Sequence, residues 1–286
     1  MNGILLVNKA QGYTSMDCCA IVRRLFHEKK VGHTGTLDPN ATGVLPICIG
    51  KATRLIEYMD NCSKTYIAGF TLGLSSDTED IWGELQKHEL SSISRDQIKA
   101  LLPIGDVEQI PPMYSAKKIN GQKLYDIARE GRVVERKANL IHVYRCELLE
   151  FDGVNGKLEI ECSRGTYVRT ICADLGKALG CGCVMTSLVR SETSGFKLDE
   201  CIGIEELKSI TEPPINLLVP MDRAMSKYPR LDVSDECTEL IHNGNIRFKE
   251  YLDCDNLSGI VSIYNSNKLI AILKDGDLSK VFNENI

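Results

Sequence analysis

The sequence predicts an α+β protein in two parts, a larger mixed segment followed by a small β-rich unit, and three patterns carry that expectation. Apolar residues alternate at period two over Lys64 to Leu72 (Tyr66, Ala68, Phe70, Leu72) and again over Lys157 to Cys162 (Leu158, Ile160, Cys162), the spacing of strands with one buried face. From Thr166 the period changes: Val168, Ile171, Cys172, Leu175 and Leu179 follow helical spacing, and Gly180 supplies a stop. Towards the C-terminus, Ile260 to Tyr264 and Leu269 to Leu273 flank Asn265-Ser266-Asn267-Lys268, a hairpin by its turn residues.

Taken in order from the N-terminus, residues 3 to 7 are a continuous apolar run that suits a buried strand. Thr14-Ser15 can cap a helix carrying Ile21, Val22, Leu25 and Phe26 on one face, with Lys29 and Lys30 favouring its C-terminal end. Residues 32 to 50 contain four glycines and two prolines, which reads as mainly ordered loop. In the helix that follows Thr166, Arg169 falls in the first turn. Composition shifts near Pro213-Pro214, and residues 228 to 286 make up the β-rich unit.

At 286 residues the chain has room for two domains at roughly 150 residues each. No apolar run approaches the ~20 residues of a membrane helix, and the N-terminus lacks the basic lead-in of an export signal, so a cytoplasmic protein is expected. Twelve cysteines then imply reduced thiols. Cys18-Cys19 are adjacent, Cys181 and Cys183 are two apart with no histidine nearby, and Cys-x-x-Cys is missing, so these read as small buried hydrophobes and no metal site is expected.

The net charge of -5 is unevenly placed: residues 1 to 198 sum to +2, whereas residues 199 to 286 sum to -7. Two stretches are locally basic, residues 9 to 54 (Lys9, Arg23, Arg24, Lys29, Lys30, Lys51, Arg54) and residues 115 to 137 (Lys117, Lys118, Lys123, Arg129, Arg132, Arg136, Lys137). Such patches can dock phosphates on an acidic protein, because salt confines the field to about a Debye length; an ordinary solvated surface would look the same.

Asp38 is the first candidate for chemistry, a carboxylate between Leu37 and Pro39 in a glycine-rich loop. Asp-Pro in such a loop is equally a turn signal. Gly50-Lys51-Ala52 lacks the glycine and hydroxyl of a phosphate-binding loop, and Asp77-Thr78-Glu79-Asp80 runs into Ile81 and Trp82 where a calcium loop needs an oxygen ligand and a glycine.

Four segments together are more specific. Gly32-His33-Thr34-Gly35-Thr36-Leu37-Asp38-Pro39-Asn40-Ala41-Thr42-Gly43-Val44-Leu45-Pro46, Lys64-Thr65-Tyr66, the stretch from Gln109 through Met113-Tyr114-Ser115 to Gly121 with Tyr125, Ala128-Arg129 and Gly131, and Arg164-Gly165-Thr166-Tyr167-Val168-Arg169-Thr170 resemble, in order and separation, the motifs of the TruB family of tRNA pseudouridine-55 synthases. The resemblance covers about residues 1 to 225. Departures from the family pattern are Ala10 for proline after Asn8-Lys9, Val184 for histidine, Val189 for the first arginine of Leu-Arg-Arg, leaving Leu188 and Arg190, and the bulky Ile81-Trp82 after Asp80.

That resemblance implies a pseudouridine synthase fold, with a mixed, mainly antiparallel central sheet flanked by helices, in a catalytic domain of residues 1–225 and a PUA-like RNA-binding domain of residues 226–286. It implies isomerisation of uridine 55 in the T loop of tRNA by a monomer, with tRNA as partner through its T arm, without membrane, cofactor or metal. Uridine and pseudouridine are isomers, so no electrons or atoms need a carrier. The implied catalytic residues are Asp38, acting as nucleophile or through elimination, Arg169, which would orient it, and Tyr66, which would stack on the uracil and assist proton removal from C5. Tyr167 and Leu188 would wall the base pocket, His33 would enter the RNA near the target base, and Lys9 and Asp80 would also serve substrate binding. The base must be extruded from its fold to react. Two other readings stay open: a non-catalytic tRNA-binding or folding module of the same fold, and a glycoside-cleaving hydrolase pairing Asp38 with Asp77 or Asp80.

Overall fold

The apolar run near the N-terminus becomes strand β1 (Gly3–Lys9), and its side chains alternate between two cores, Leu5 and Val7 in one, Ile4 and Leu6 in the other. A strand covered on both faces needs apolar residues at consecutive positions, which explains the unbroken run there. The computed structural model describes residues 1–283 apart from Ala116 and Asn120, so those two positions of the central motif and the last three residues of the C-terminal unit lie outside the described residues, as do the side chains of Lys118, Lys123 and Asp255.

Seven further strands join β1 in the main sheet: β2 (Thr42–Ile49), β3 (Lys64–Leu72), β4 (Gly105–Gln109), β5 (Asn139–Phe151), β6 (Asn155–Cys162), β7 (Cys183–Thr193) and β8 (Ile202–Gly203). Their spatial order is β8-β1-β2-β7-β3-β6-β5-β4, with short strands Val31–His33, Phe196–Lys197 and Leu218–Val219 branching from it. β1 with β8 and β2 with β7 run parallel, while the other neighbours along this path run antiparallel, the mixed and mainly antiparallel sheet expected. Tyr66, Ala68, Phe70 and Leu72 of β3 are buried, as their alternation predicts.

Helices α1 (Ser15–Leu25) and α2 (Val168–Leu179) contribute Cys18, Cys19, Val22, Ile171, Cys172 and Leu175 to the first core. Thr14 caps α1: its hydroxyl accepts from Asp17 N, and the Asp17 carboxylate accepts from Thr14 N. The helix ends earlier than its basic residues suggested. His27 takes a positive φ of 50°, so Lys29 and Lys30 lie beyond the end, and Arg23 and Arg24 occupy the last turn. Gly180 closes α2 in the left-handed conformation, as expected.

The glycine-rich stretch is a correction as well. Residues 32 to 50 are not mainly loop: Val31–His33 and β2 take both ends, leaving a loop of residues 34 to 41. Between the glycines run Val44, Leu45, Ile47, Cys48 and Ile49, all buried, and their burial outweighs the punctuation of Pro46. Pro46 loses no ladder bond to β7, which pairs only with Thr42 and Gly43 of β2.

The C-terminal unit forms a second sheet, β9 (Arg230–Asp232), β10 (Ile260–Asn265), β11 (Lys268–Lys274) and β12 (Asp277–Val281), in that spatial order. β10 and β11 are the expected hairpin, with Ser266 and Asn267 at φ 48° and 63° in its turn. This sheet does not hang free. Tyr264, Leu269, Ile272 and Phe282 share one core with Ile4, Leu6, Val44 and Met59, and polar ties fasten the seam: Tyr58 Oη to Ser279 Oγ at 2.8 Å, Tyr228 Oη to Tyr58 O at 2.8 Å, and Lys280 Nζ to Glu57 at 2.8 Å. Its opposite face packs on Cys237, Ile241 and Phe248 in a core of its own.

All the cysteines except Cys62 and Cys201 are buried. Among the described residues no helix is long and apolar enough to cross a membrane.

Because Ile272 lies fully buried in the shared core, Ile272→Ala should cost about 2–5 kcal/mol and lower the stability of both sheets together. Urea unfolding followed by far-UV circular dichroism and by emission of Trp82, the sole tryptophan, checks this: one coincident, shifted transition is expected, and a shift confined to the circular dichroism would show that the sheets unfold separately.

Candidate active site

The loop of residues 34 to 41 carries Asp38 outward by anchoring the residues on either side of it. Leu37 is buried in the first core, and its N–H donates to Ser15 Oγ at 2.9 Å. Pro39 O accepts from Gly12 N at 2.9 Å and from Lys9 Nζ at 3.0 Å, and Asp38 O accepts from Ala41 N at 3.0 Å. With its backbone fixed in this way, the Asp38 side chain remains 46% exposed.

Arg169 meets that carboxylate from the first turn of α2. Its Nη2 lies 3.3 Å from Asp38 Oδ2 and donates to Tyr114 O at 2.8 Å, its Nη1 lies 3.7 Å from Asp80 Oδ2, and its side chain is only 7% exposed. Asp80 is in turn held by Thr78 Oγ1 at 2.6 Å and Trp82 N at 3.1 Å, both donating to its Oδ1. Asp38 and Asp80 thus ion-pair with one guanidinium, an arrangement that orients two carboxylates and does not present them to each other across a scissile bond.

Tyr66 lies on β3 opposite Arg190 of β7. Burial pushes the Tyr66 phenol above its ordinary value, and the neighbouring Arg190 charge pulls the other way. Arg190 is fully buried: Nε donates to Val44 O at 2.8 Å, Nη2 to Gly35 O at 3.1 Å, and Nη1 has no hydrogen-bond partner among the described residues. Gly43 makes this packing possible, since at φ 107° a Cβ there would stand 2.2 Å from Arg190 O.

Asp38 stands between two cavities. The first, about 510 Å³, is lined by His33, Tyr66, Tyr167, Leu188, Arg169 and Arg190, among others. Tyr167 is fixed by a reciprocal pair with Gln109, whose Nε2 donates to Tyr167 O at 3.0 Å and whose Oε1 accepts from Tyr167 N at 2.8 Å. His33 is half-buried; burial and Arg190 lower its pKa, and its Nδ1 has no partner among the described residues. The second cavity, about 470 Å³, includes Asp38, Asp80, Trp82, Tyr114 and Arg129 in its lining.

The structure thus gathers Arg169, Tyr66, Tyr167, Leu188, His33 and Asp80 around Asp38, whereas Lys9 is placed differently. It is wholly buried beneath the loop, and its ammonium donates to Ala10 O, Tyr13 O and Pro39 O at 3.0, 2.7 and 3.0 Å. Burial lowers it to about 8, still charged at neutral pH. Its contact is with the loop and not with the cavity. The basic stretch of residues 9 to 54 does not survive as one phosphate-docking face either: Lys51 and Arg54 bond to the backbone of Asn283 and Val281, and Arg23 bonds to the carbonyls of Lys29 and Val31. In the second stretch Arg129 reaches the active-site region, Arg132 pairs with Glu130, and Arg136 bonds to Pro111 O.

Arg190 and Gln109 were read from the sequence only as parts of motifs. The signal for Gln109 is absent from spacing, because its partner is 58 residues away. For Arg190 the signal is a basic residue directly after the apolar pair Leu188-Val189 in a strand, which requires acceptors if the strand is buried.

Residues 23–168 match the family described as TruB family pseudouridylate synthase (N terminal domain), and residues 169–226 match the tRNA pseudouridylate synthase B C-terminal domain. The tRNA pseudouridine synthase B of Bacillus pumilus (strain SAFR-032) is 46% identical over 257 residues, covering 86% of this chain and 83% of that protein. The protein of the same name from Francisella tularensis subsp. novicida (strain U112) is 39% identical over 289 residues, covering 99% of this chain and 94% of that one. Among solved structures, a Cbf5-Nop10-Gar1 complex has a chain that superposes with a TM-score of 0.70 at 23% identity, covering 95% of this chain and 78% of that chain, a likeness of fold.

The Lys9 cradle generates a direct test. Lys9→Met removes the donor from three carbonyls and should cost about 3 kcal/mol of stability while speeding amide exchange at Gly12 and Ala41, whose N–H groups close the loop. Unaltered protection of those two amides would mean that the loop holds itself without the lysine.

Proposed function

The chain belongs to the TruB family of pseudouridine synthases, and from that membership we propose that it isomerises uridine 55 in the T loop of tRNA, extruding the base into the first cavity and using Asp38 as nucleophile. It is a pseudouridine synthase; tRNA as its substrate follows the names of its relatives. The observation that carries the finer reading is the pair of a part-exposed Asp38 and a buried Arg169 at 3.3 Å, on the rim of a cavity floored by Tyr66 and Leu188.

In this reading the uracil lies against Tyr66 and Leu188, with C1' at Asp38. The Asp38 carboxylate attacks C1' as the bond from C1' to N1 breaks, the freed uracil turns within the cavity, and C5 bonds to C1' as the carboxylate leaves. The proton on C5 departs and N1 takes one up, so the product is an isomer and nothing is oxidised or reduced. Arg169 keeps Asp38 aimed at C1' through both steps, and His33 occupies the space the base vacates. Extrusion costs a few kcal/mol, and phosphate contacts, in which Arg129 and Arg164 are placed to take part, offset it. In the same reading the second sheet belongs to a PUA-like RNA-binding domain of residues 226–286, and residues 1–225 are catalytic. Given the summed charge of -7 over residues 199 to 286, contact through this sheet would be by a local surface.

The test uses a tRNA transcript tritiated at C5 of uridine, because joining at C5 expels that hydrogen. The full chain should release about one tritium per tRNA without added metal or cofactor. Asp38→Asn, which keeps the size of the side chain, should lower the rate on the order of 10³-fold or more with the fold intact. Undiminished release by Asp38→Asn would remove Asp38 from the chemistry, and tight binding without release by the unaltered chain would favour a non-catalytic RNA-binding role.

A further inference from the structure

Trp82 has no part in the reaction as derived, yet it stands 42% exposed and lines the same cavity as Asp38 and Asp80. It is the sole tryptophan of the chain. Its position is set by a tight polar turn: Ser76 Oγ lies 2.9 Å from Thr78 Oγ1, Asp80 Oδ1 accepts from Trp82 N, and Asp77 Oδ1 accepts from Glu84 N at 2.8 Å. Gly83 lets the chain pass over this turn, since a Cβ there would stand 2.3 Å from Asp77 Oδ1. The Trp82 backbone is thus fixed, and its indole lines the second cavity while remaining part-exposed, where a flat partner could cover it.

The second cavity shows what kind of occupant fits. It shares Leu37, Asp38 and Arg169 with the first, so the two adjoin across Asp38. Trp82, Tyr114 and Tyr125 supply ring faces, with the Arg129 guanidinium 5.5 Å from the Tyr125 ring centroid. Ser115 also lines it, and its buried hydroxyl has no hydrogen-bond partner among the described residues. Asp38 and Asp80 line the space together with Arg129 and Arg169, so its formal charges balance, and a neutral nucleobase suits it, offering a π-face to the rings and polar edges to Ser115.

We propose that Trp82 is the stacking platform for a nucleobase adjacent in the strand to the isomerised uridine, received by the second cavity. The proposal rests on the reading that the first cavity holds the uridine. Stacking on the indole makes Trp82 a specificity-determining residue: it senses whether the neighbouring position carries a base and how large that base is, and it takes no part in bond breaking.

Intrinsic fluorescence tests this, because all tryptophan emission comes from Trp82. The full-length Asp38→Asn variant is titrated with a T-arm RNA hairpin, and with two versions made abasic at either neighbour of the target uridine. Quenching by the intact hairpin, lost when one particular neighbour is abasic while fluorescence anisotropy of a labelled hairpin still reports binding, is the expected result. In tritium-release kinetics with Asp38 present, Trp82→Ala should raise KM for the intact hairpin about tenfold with less effect on kcat, Trp82→Phe should recover most of that loss, and Trp82→Ala should add nothing on the abasic hairpin. Release by the unaltered chain with unquenched emission at saturation, or an equal Trp82→Ala penalty on intact and abasic hairpins, overturns the proposal alone. Absence of release by the unaltered chain overturns the reading of the first cavity and this proposal with it.

Discussion

A single buried guanidinium ties together three segments of this molecule that are distant in sequence. Arg169 reaches from the first turn of a helix to Asp38 in the N-terminal loop, to Asp80 in the turn after β3, and to the carbonyl of Tyr114 in the central motif. A charge that is 7% exposed is costly to remove from water unless carboxylates and carbonyls surround it, so these three segments are constrained to converge wherever Arg169 is buried. The Asp38 carboxylate gains from this an aimed partner within a rigid frame.

The same device recurs on either side. Lys9 beneath the loop and Arg190 beside it are fully buried cations whose partners are mainly backbone carbonyls, Pro39, Tyr13 and Ala10 for one, Val44 and Gly35 for the other. A loop of eight residues with little regular structure would ordinarily move. Here two of its carbonyls, those of Gly35 and Pro39, accept from buried cations, which lets the loop combine precise backbone placement with an exposed Asp38. Basic residues that look from the sequence like phosphate ligands therefore serve partly as internal fasteners.

Around this frame the two sheets divide the labour. The main sheet supplies Tyr66, Leu188 and Arg190 from adjacent strands, so the floor of the first cavity inherits the rigidity of a central ladder. The second sheet closes the opposite side of β1 and β2 through the shared core. Tyr66 and Leu188, which line the first cavity, thus belong to one core of the molecule, and the second sheet packs into the other.

Much of this was legible in the sequence, for physical reasons that differ by element. Local periodicity determined β3, β6, the helix over residues 168–179 and the β10–β11 hairpin, because each depends on neighbours within a few residues. The resemblance of the motifs put Asp38, Tyr66, Arg169, Tyr167, Leu188, His33 and Asp80 in a common site, although alone Asp38 reads as a turn residue, Tyr66, Tyr167 and Leu188 as core, and His33 and Arg169 as surface. Tertiary structure decided the rest. Glycines and Pro46 marked residues 42 to 49 as loop until burial between two cores made them a strand, the C-terminal hairpin gave no sign that its face would complete the core under β1, and Lys9 looked like a surface ligand until three carbonyls enclosed it. In each case the deciding partner lies at a distance along the chain that no local pattern encodes, and only packing shows whether a polar or apolar group has found one.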